Sequence, residues 1–245
     1  AVGVLDDYMD RSRAAIEAGA KVICIDVAHG HHVLVKRALQ SIRELVGDDI
    51  HIMAGNVATL EGFNDLADWG ADSIRCNIGG GSICTTRIQT GHGVPGLETI
   101  LQCAKSDRDA KIIADGGIKN SGDIVKAFAA GADAVMLGSL LAGTDCSPGT
   151  IFKTETGELR KTYRGMASAA AQRDWRGRVS SCEGISSSVP YRGKLADVIK
   201  ELERGIRSGL SYSGARSIRE LQANAQWMQQ SNAGATESTA HIRLR

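Results

Sequence analysis

The run Ile78-Gly79-Gly80-Gly81-Ser82-Ile83-Cys84-Thr85-Thr86-Arg87 puts one thiol and three hydroxyls directly after three glycines. Successive glycines let backbone N–H and C=O groups converge on an ion without Cβ interference. A loop that only turned would have no need of that cargo. Cys84 is the candidate nucleophile, since a helix starting just after it and the nearby Arg87 would both favour a thiolate. The other cysteines (Cys24, Cys76, Cys103, Cys146 and Cys182) lie in strand, helix or polar-loop patterns without such a setting. Asp115-Gly116-Gly117 offers a carboxylate for a ribose diol and amides for a phosphate, and Gly138-Ser139 offers a second set of amides. Together the two pairs favour a phosphorylated substrate. Asp26 and Asn56 are polar groups at strand ends, each as readily a cap as a ligand. His29, His31 and His32 match no zinc spacing. Glu183-Gly184 supplies a carboxylate that could carry protons if its loop folds over Cys84.

Loops of this kind need a scaffold, and the chain spells one out. Apolar or β-branched runs at Val2 to Val4, Val22 to Ile25, Ile50 to Met53, Ser73 to Cys76, Ile112 to Ala114 and Ala134 to Leu137 alternate with amphipathic stretches. That pattern predicts βαβ units and a parallel sheet. Asp6 or Asp7, Thr59 and Ser121 are the expected caps of helices that end at Gly19, Gly70 and Gly131. The echo Ala18-Gly19-Ala20, Trp69-Gly70-Ala71 and Ala130-Gly131-Ala132 points to a barrel of similar units, and no GxGxxG follows the first strand as a Rossmann fold would require. The fold expected is therefore α/β, a TIM (β/α)8 barrel. Six units are counted, so either two strands hide in Tyr163 to Tyr191 or the first two are missing from this chain; the second is favoured. Residues 151 to 163 read as a hairpin turning at Glu155 to Glu158, residues 166 to 190 as a polar active-site loop, and Leu195 to Ser208 and Ser217 to Gln229 as helices. One catalytic domain over residues 1–233 and a polar tail over 234–245, poorly ordered from Ser231 onward, complete the expected organisation.

Composition narrows the class. With 29 Lys plus Arg against 28 Asp plus Glu, the net charge of +1 leaves no basic excess for sequence-independent nucleic-acid binding. Apolar runs fall far short of the roughly 20 residues that span a bilayer. Glycine supplies 29 of 245 residues while proline supplies three, so the glycines have positional jobs rather than marking disorder. Without a CxxC pair or a secretory signal, the six cysteines suggest reduced thiols in a cytoplasmic protein.

The strings IDVAHGH, AGNVAT, IGGGSICTTR, GVPGLETI, IIADGGIKNSGDIVKAFAAGADAVMLGSLLAG, YRGMAS and SVPYRG, in that order, resemble the inosine monophosphate dehydrogenase and guanosine monophosphate reductase family from Val2 to about Ala233. The resemblance implies a tetrameric barrel enzyme in which a cysteine attacks C2 of a purine nucleotide while hydride moves to or from a nicotinamide. By position it makes Cys84 that nucleophile, with Thr86 and Glu183 relaying protons. It makes Ser82, Gly117, Gly138 and Ser139 phosphate contacts, Asp115 the ribose ligand, and Gly116, Tyr163, Gly165 and Met166 further substrate contacts. Asp26, Ala28, Asn56 and Arg75 fall on the cofactor side. Carbonyls of Gly79, Gly81 and Cys84 correspond to a potassium site.

The branch is read from one departure. Dehydrogenases of the family carry a long flap with an Arg-Tyr pair that activates water, whereas only Ala167 to Cys182 separates Met166 from Glu183 here, and no Arg-Tyr pair occurs in it. The expectation is thus an NADPH-dependent GMP reductase releasing IMP and ammonia. The alternatives are an NAD-dependent IMP dehydrogenase, which Arg164 and the AHGH string resemble, and an inactive nucleotide-binding module. Ser180 and Ile185 stand where short reductases carry Arg and Lys, and Asn77 replaces a usual Gly.

Overall fold

In the computed structural model, residues 1–179 and 183–239 are described. Five parallel strands form one sheet in the order β1 (Val22–Asp26), β2 (His51–Val57), β3 (Ser73–Cys76), β4 (Lys111–Asp115) and β5 (Ala134–Met136). Helices α1 (Tyr8–Glu17), α2 (Val33–Val46), α3 (Leu60–Asp68), α4 (Thr86–Thr90), α5 (Gly96–Cys103), α6 (Ser121–Ala129) and α7 (Ser139–Ala142) precede, separate and follow them. Neighbouring strands in sequence are neighbours in the sheet, the order of a barrel wall rather than of a doubly wound sheet. The run at Val2 is reduced to a single parallel bridge with Ile25, so it extends the wall without forming a strand.

The wall is built by period-two and period-3.6 patterns meeting over one core. Ile25, Ile52 and Ile74 are fully buried on the sheet, and Leu39, Ile42, Phe63 and Leu66 close over them from α2 and α3. Each such side chain contributes about 1.5–3 kcal/mol through burial. The repeated Gly-Ala-Asp turn sets the register. The Ala71 and Ala132 amides bond back to Leu66 and Ala127, ending α3 and α6. Asp72 and Asp133 then accept the amides of Ile52 and Ile112 at 2.6 and 2.8 Å, pinning the start of each next strand to its neighbour.

Four local expectations change. Thr59 caps α3 as expected, through the Gly62 amide at 3.1 Å, but Asn120 rather than Ser121 caps α6. Asn120 has the extended backbone a cap needs and bonds the Asp123 amide at 2.9 Å. Asp7 stands at the N-cap of α1 without a side-chain bond. Residues 166–190 are not a plain loop: they hold α8 (Ala169–Arg176) and β8 (Ser186–Pro190), which pairs with the hairpin strands β6 (Ile151–Lys153) and β7 (Leu159–Arg164) in a three-stranded antiparallel sheet. Helices α9 (Leu195–Tyr212), α10 (Ile218–Asn224) and α11 (Asn232–Glu237) finish the chain; α9 packs on α6 through Ile124, Val198 and Leu202. The helix α11 occupies part of the stretch expected to be poorly ordered, and residues 240–245 lie outside the described residues.

Candidate active site

Most of the residues expected to do chemistry sit at the C-terminal ends of the parallel strands or in the segments just after them, the face where such folds place function. A cavity of about 420 Å³ opens there, lined by Asp26, Ala28, Asn56, Arg75, Gly79, Gly81, Cys84, Thr86, Asp115, Gly116, Met166 and Glu183. Twelve positions drawn from five separate segments of the sequence thus share one cleft.

The chemical centre is a chain of three side chains. The Cys84 thiol donates to Thr86 Oγ1 at 3.2 Å, and the Thr86 hydroxyl donates to Glu183 Oε2 at 2.8 Å. Glu183 reaches this position because its segment zips onto the cysteine loop. The Thr85 amide bonds the Glu183 carbonyl at 2.9 Å, the Ile185 amide bonds the Ile83 carbonyl at 3.0 Å, and Gly184 bridges both Cys84 and Ser168. Thr86 is buried and opens the short helix α4. Arg87 does not face the thiol as its proximity in sequence suggested. Its guanidinium is spent on the carbonyls of Ile78 and Val94 and on Asn77 Oδ1, so it shapes the glycine loop rather than stabilising a thiolate directly.

A second cluster fixes a carboxylate. Arg75 Nε and Nη2 donate to Asp115 Oδ2 at 3.0 and 2.8 Å, and Asn56 Nδ2 donates to the same oxygen at 2.8 Å. Arg75 Nη1 donates to Asp26 Oδ1 at 2.6 Å. Burial alone would pull Arg75 down, but Asp115 and Asp26 outweigh it and hold the guanidinium above its ordinary value. Burial pushes the neighbouring Cys24 thiol up, against the opposing pull of Arg75. Arg75, assigned by position to the cofactor side, therefore bridges the carboxylates at the ends of β1 and β4. Asp115 itself lines the cleft.

Of the remaining expected residues, Gly117 lines a neighbouring cavity of about 300 Å³ with Gly116. Gly116 has φ +81°, and a Cβ there would come within 3.0 Å of the Gly81 amide nitrogen, so the ribose loop and the cysteine loop touch through backbone. Gly138, Ser139, Tyr163, Gly165 and Ser82 do not line the main cavity. A Cβ on Gly138 would lie 2.9 Å from the Tyr163 hydroxyl, which brings the hairpin exit to the end of β5. Gly165 lies against Ile83, and Ser82 is exposed. Asn77, Gln172 and Trp175 also line the cleft, and local sequence gave no sign of it. Among the described residues no group of three or more His, Cys, Asp or Glu side chains could hold a metal ion. No helix among them is long and apolar enough to cross a membrane.

A sequence model of the IMP dehydrogenase / GMP reductase domain matches residues 1–241. Inosine-5'-monophosphate dehydrogenase of Nitrosopumilus maritimus is 43% identical over 98% of this chain and 53% of its own length. The enzyme of the same name from Aquifex aeolicus is 47% identical over 98% of this chain and 51% of its own. Among solved structures, a GMP reductase variant from Trypanosoma brucei in complex with guanosine 5'-monophosphate superposes with a TM-score of 0.93 at 40% identity, covering 99% of this chain and 52% of that one. Inosine 5' monophosphate dehydrogenase from Legionella pneumophila gives 0.82 at 47% identity, covering 95% and 72%. The chain spans about half the length of the curated relatives it matches.

These relatives overturn the expectation of an NADPH-dependent GMP reductase. It rested on the short stretch between Met166 and Glu183 and its missing Arg-Tyr pair, yet chains 43% and 47% identical over nearly all of this one are named IMP dehydrogenases. Residues 180–182 of that stretch lie outside the described residues. With the barrel wall, the cysteine loop and the matched sequence in agreement, this chain belongs to the IMP dehydrogenase / GMP reductase family.

Proposed function

We propose that the chain is the catalytic part of an IMP dehydrogenase, oxidising IMP to XMP with NAD. The observation that carries this reading is the Cys84–Thr86–Glu183 chain of hydrogen bonds, open to a cleft of nucleotide size. NAD, when bound, accepts the hydride that leaves C2 of the purine. Cys84 supplies the nucleophile: its sulfur bonds to C2 as its proton passes through Thr86 to Glu183. Water then adds to C2, the carbon–sulfur bond breaks, and the Cys84 sulfur leaves with its electron pair. Glu183 returns the thiol's proton through Thr86 to the departing sulfur, and the relay is then free to take up the water's proton. Asp115 Oδ1 accepts from the ribose hydroxyls, and the amides of Gly116, Gly117, Gly138 and Ser139 hold the phosphate.

The residues at the sheet edge suit a dinucleotide. Asp26 gives only Oδ1 to Arg75, leaving Oδ2 for a cofactor ribose, with Ala28 and Asn56 beside it. A potassium ion would be held by carbonyls of Gly79, Gly81 and Cys84, of which the Gly81 carbonyl also accepts the Cys84 amide. In the same reading the full-length protein works as a cytoplasmic homotetramer.

The test is to supply the full-length protein with each purine nucleotide and each nicotinamide. NADH and XMP should form from IMP and NAD, Cys84→Ala should abolish turnover, and Glu183→Gln should slow it by about 10²–10³-fold, the usual weight of a proton-transfer group. Consumption of NADPH with the guanine nucleotide, and no NADH from IMP, would overturn the proposal.

A further inference from the structure

Asn77 follows β3 and is 4% exposed, with φ +125°, a backbone conformation that side-chain-bearing residues rarely adopt. Such an outlier persists only where its surroundings hold it in place. The holding is done by its own side chain. Nδ2 donates to the Asp115 carbonyl at 2.8 Å and lies 3.5 Å from that of Gly116, while Oδ1 accepts from Arg87 Nη2 at 3.1 Å. The Asn77 backbone is tied as well, its amide to Val57 and its carbonyl to Asn56 Nδ2. A Cβ on Gly80 would fall 1.9 Å from Asn77 Nδ2, so the carboxamide fills the space beneath the middle of the glycine loop.

Two halves of the site meet at this one side chain. Arg87 belongs to the segment of Cys84 and Thr86 and grips the Ile78 and Val94 carbonyls. Asp115 and Gly116 belong to the segment that receives the ribose and phosphate. Among the described residues, Asn77 is the side chain that bonds both Arg87 and the Asp115–Gly116 backbone. We infer that Asn77 is a positioning residue that sets the Cys84 loop at a fixed height above the nucleotide. It acts through Arg87 and the Asp115 carbonyl rather than by touching the substrate's reacting atoms. The inference rests on Cys84 being the nucleophile, as proposed above.

The variant Asn77→Gly in the full-length protein separates backbone strain from the tether, because glycine relieves the first and lacks the second. Misplacing a reacting group by an ångström or less can cost up to about 10²-fold, so kcat should fall by about tenfold. IMP affinity by calorimetry and the rate at which iodoacetamide alkylates Cys84 should stay within about threefold of the parent, since ligand groups and thiol are untouched. Arg87→Lys cuts the same tether from its other end and serves if Asn77→Gly does not fold. The double variant should be no slower than the slower single one, the mark of residues acting through one link. Unchanged kcat in a folded Asn77→Gly protein overturns the inference, and so does a double variant whose losses multiply. Turnover retained in Cys84→Ala would instead overturn the reading of the nucleophile, and the two failures are told apart by that variant alone.

Discussion

Asp115 gives one oxygen to three donors, two of them from Arg75 and one from Asn56. The Asp115 and Arg75 side chains are 17% and 13% exposed, so the pair is poorly screened, and removing one partner leaves a mostly buried charge. Arg75→Gln should therefore cost about 2–4 kcal/mol of stability, somewhat below the value for fully buried pairs. It should also weaken nucleotide binding at least tenfold, because Asn56 alone would then hold Asp115. Arg75→Lys keeps the charge but cannot fork to two oxygens, so its losses should be intermediate. Melting curves and IMP titrations of the two variants check this; equal affinity in the glutamine variant would refute the clamp. Sequence pointed to Asp115, Asn56 and Asp26 because each follows a strand. It placed Arg75 with the cofactor, since nothing local signals that its partners lie 40 and 49 residues away. Asn77 was equally opaque, as its bonds reach Asp115 and Arg87 across two loops.

At the scale of elements, the hairpin is the part that brings Glu183 to Cys84, and a buried ammonium anchors it. Lys161 in β7 is 2% exposed and donates to the carbonyls of Thr144, at 2.7 Å, and Ser147. Lys161→Met preserves the length and apolar stem while leaving buried carbonyls unpaired, at a cost of about 1–3 kcal/mol. The melting temperature should drop by several degrees and kcat by a fewfold, since β8 and the Gly184 bridges ride on β7. A variant that melts lower with full kcat would show that the anchor does not transmit to the site. The parallel strands and the hairpin were legible because β-branched runs ended in Gly-, Asn- or Asp-rich turns. The strand β8 was not. Its sequence Ser186-Ser187-Ser188-Val189-Pro190 has no apolar alternation, and its register comes from backbone pairing with β7 rather than from a buried face. The helix α8 hid for a similar reason: an Ala-rich polar stretch is fixed by the Ser168 cap and by burial of Ala171 and Gln172.

At the scale of the whole molecule, the described residues form an open wall. The sheet ends at β1, touched by a single bridge from Val2, and at β5, whose Ala134, Val135 and Met136 are all partly exposed. Val22 on β1 is 48% exposed. A barrel of this family buries both edges and the inner face by closing the sheet, which an open wall cannot do. The chain covers 51–53% of the length of these curated relatives. Residues 1–245 expressed alone should therefore bind a hydrophobic dye strongly, and they should associate in a concentration-dependent way, because the net charge of +1 offers little repulsion. The full-length protein at equal concentration should do neither to the same degree. Sedimentation and dye fluorescence of the two proteins side by side decide the matter. An isolated half that stays monomeric and dye-silent would mean that the two edges are covered by rearrangement within these residues, and the site geometry built on them would have to move with it.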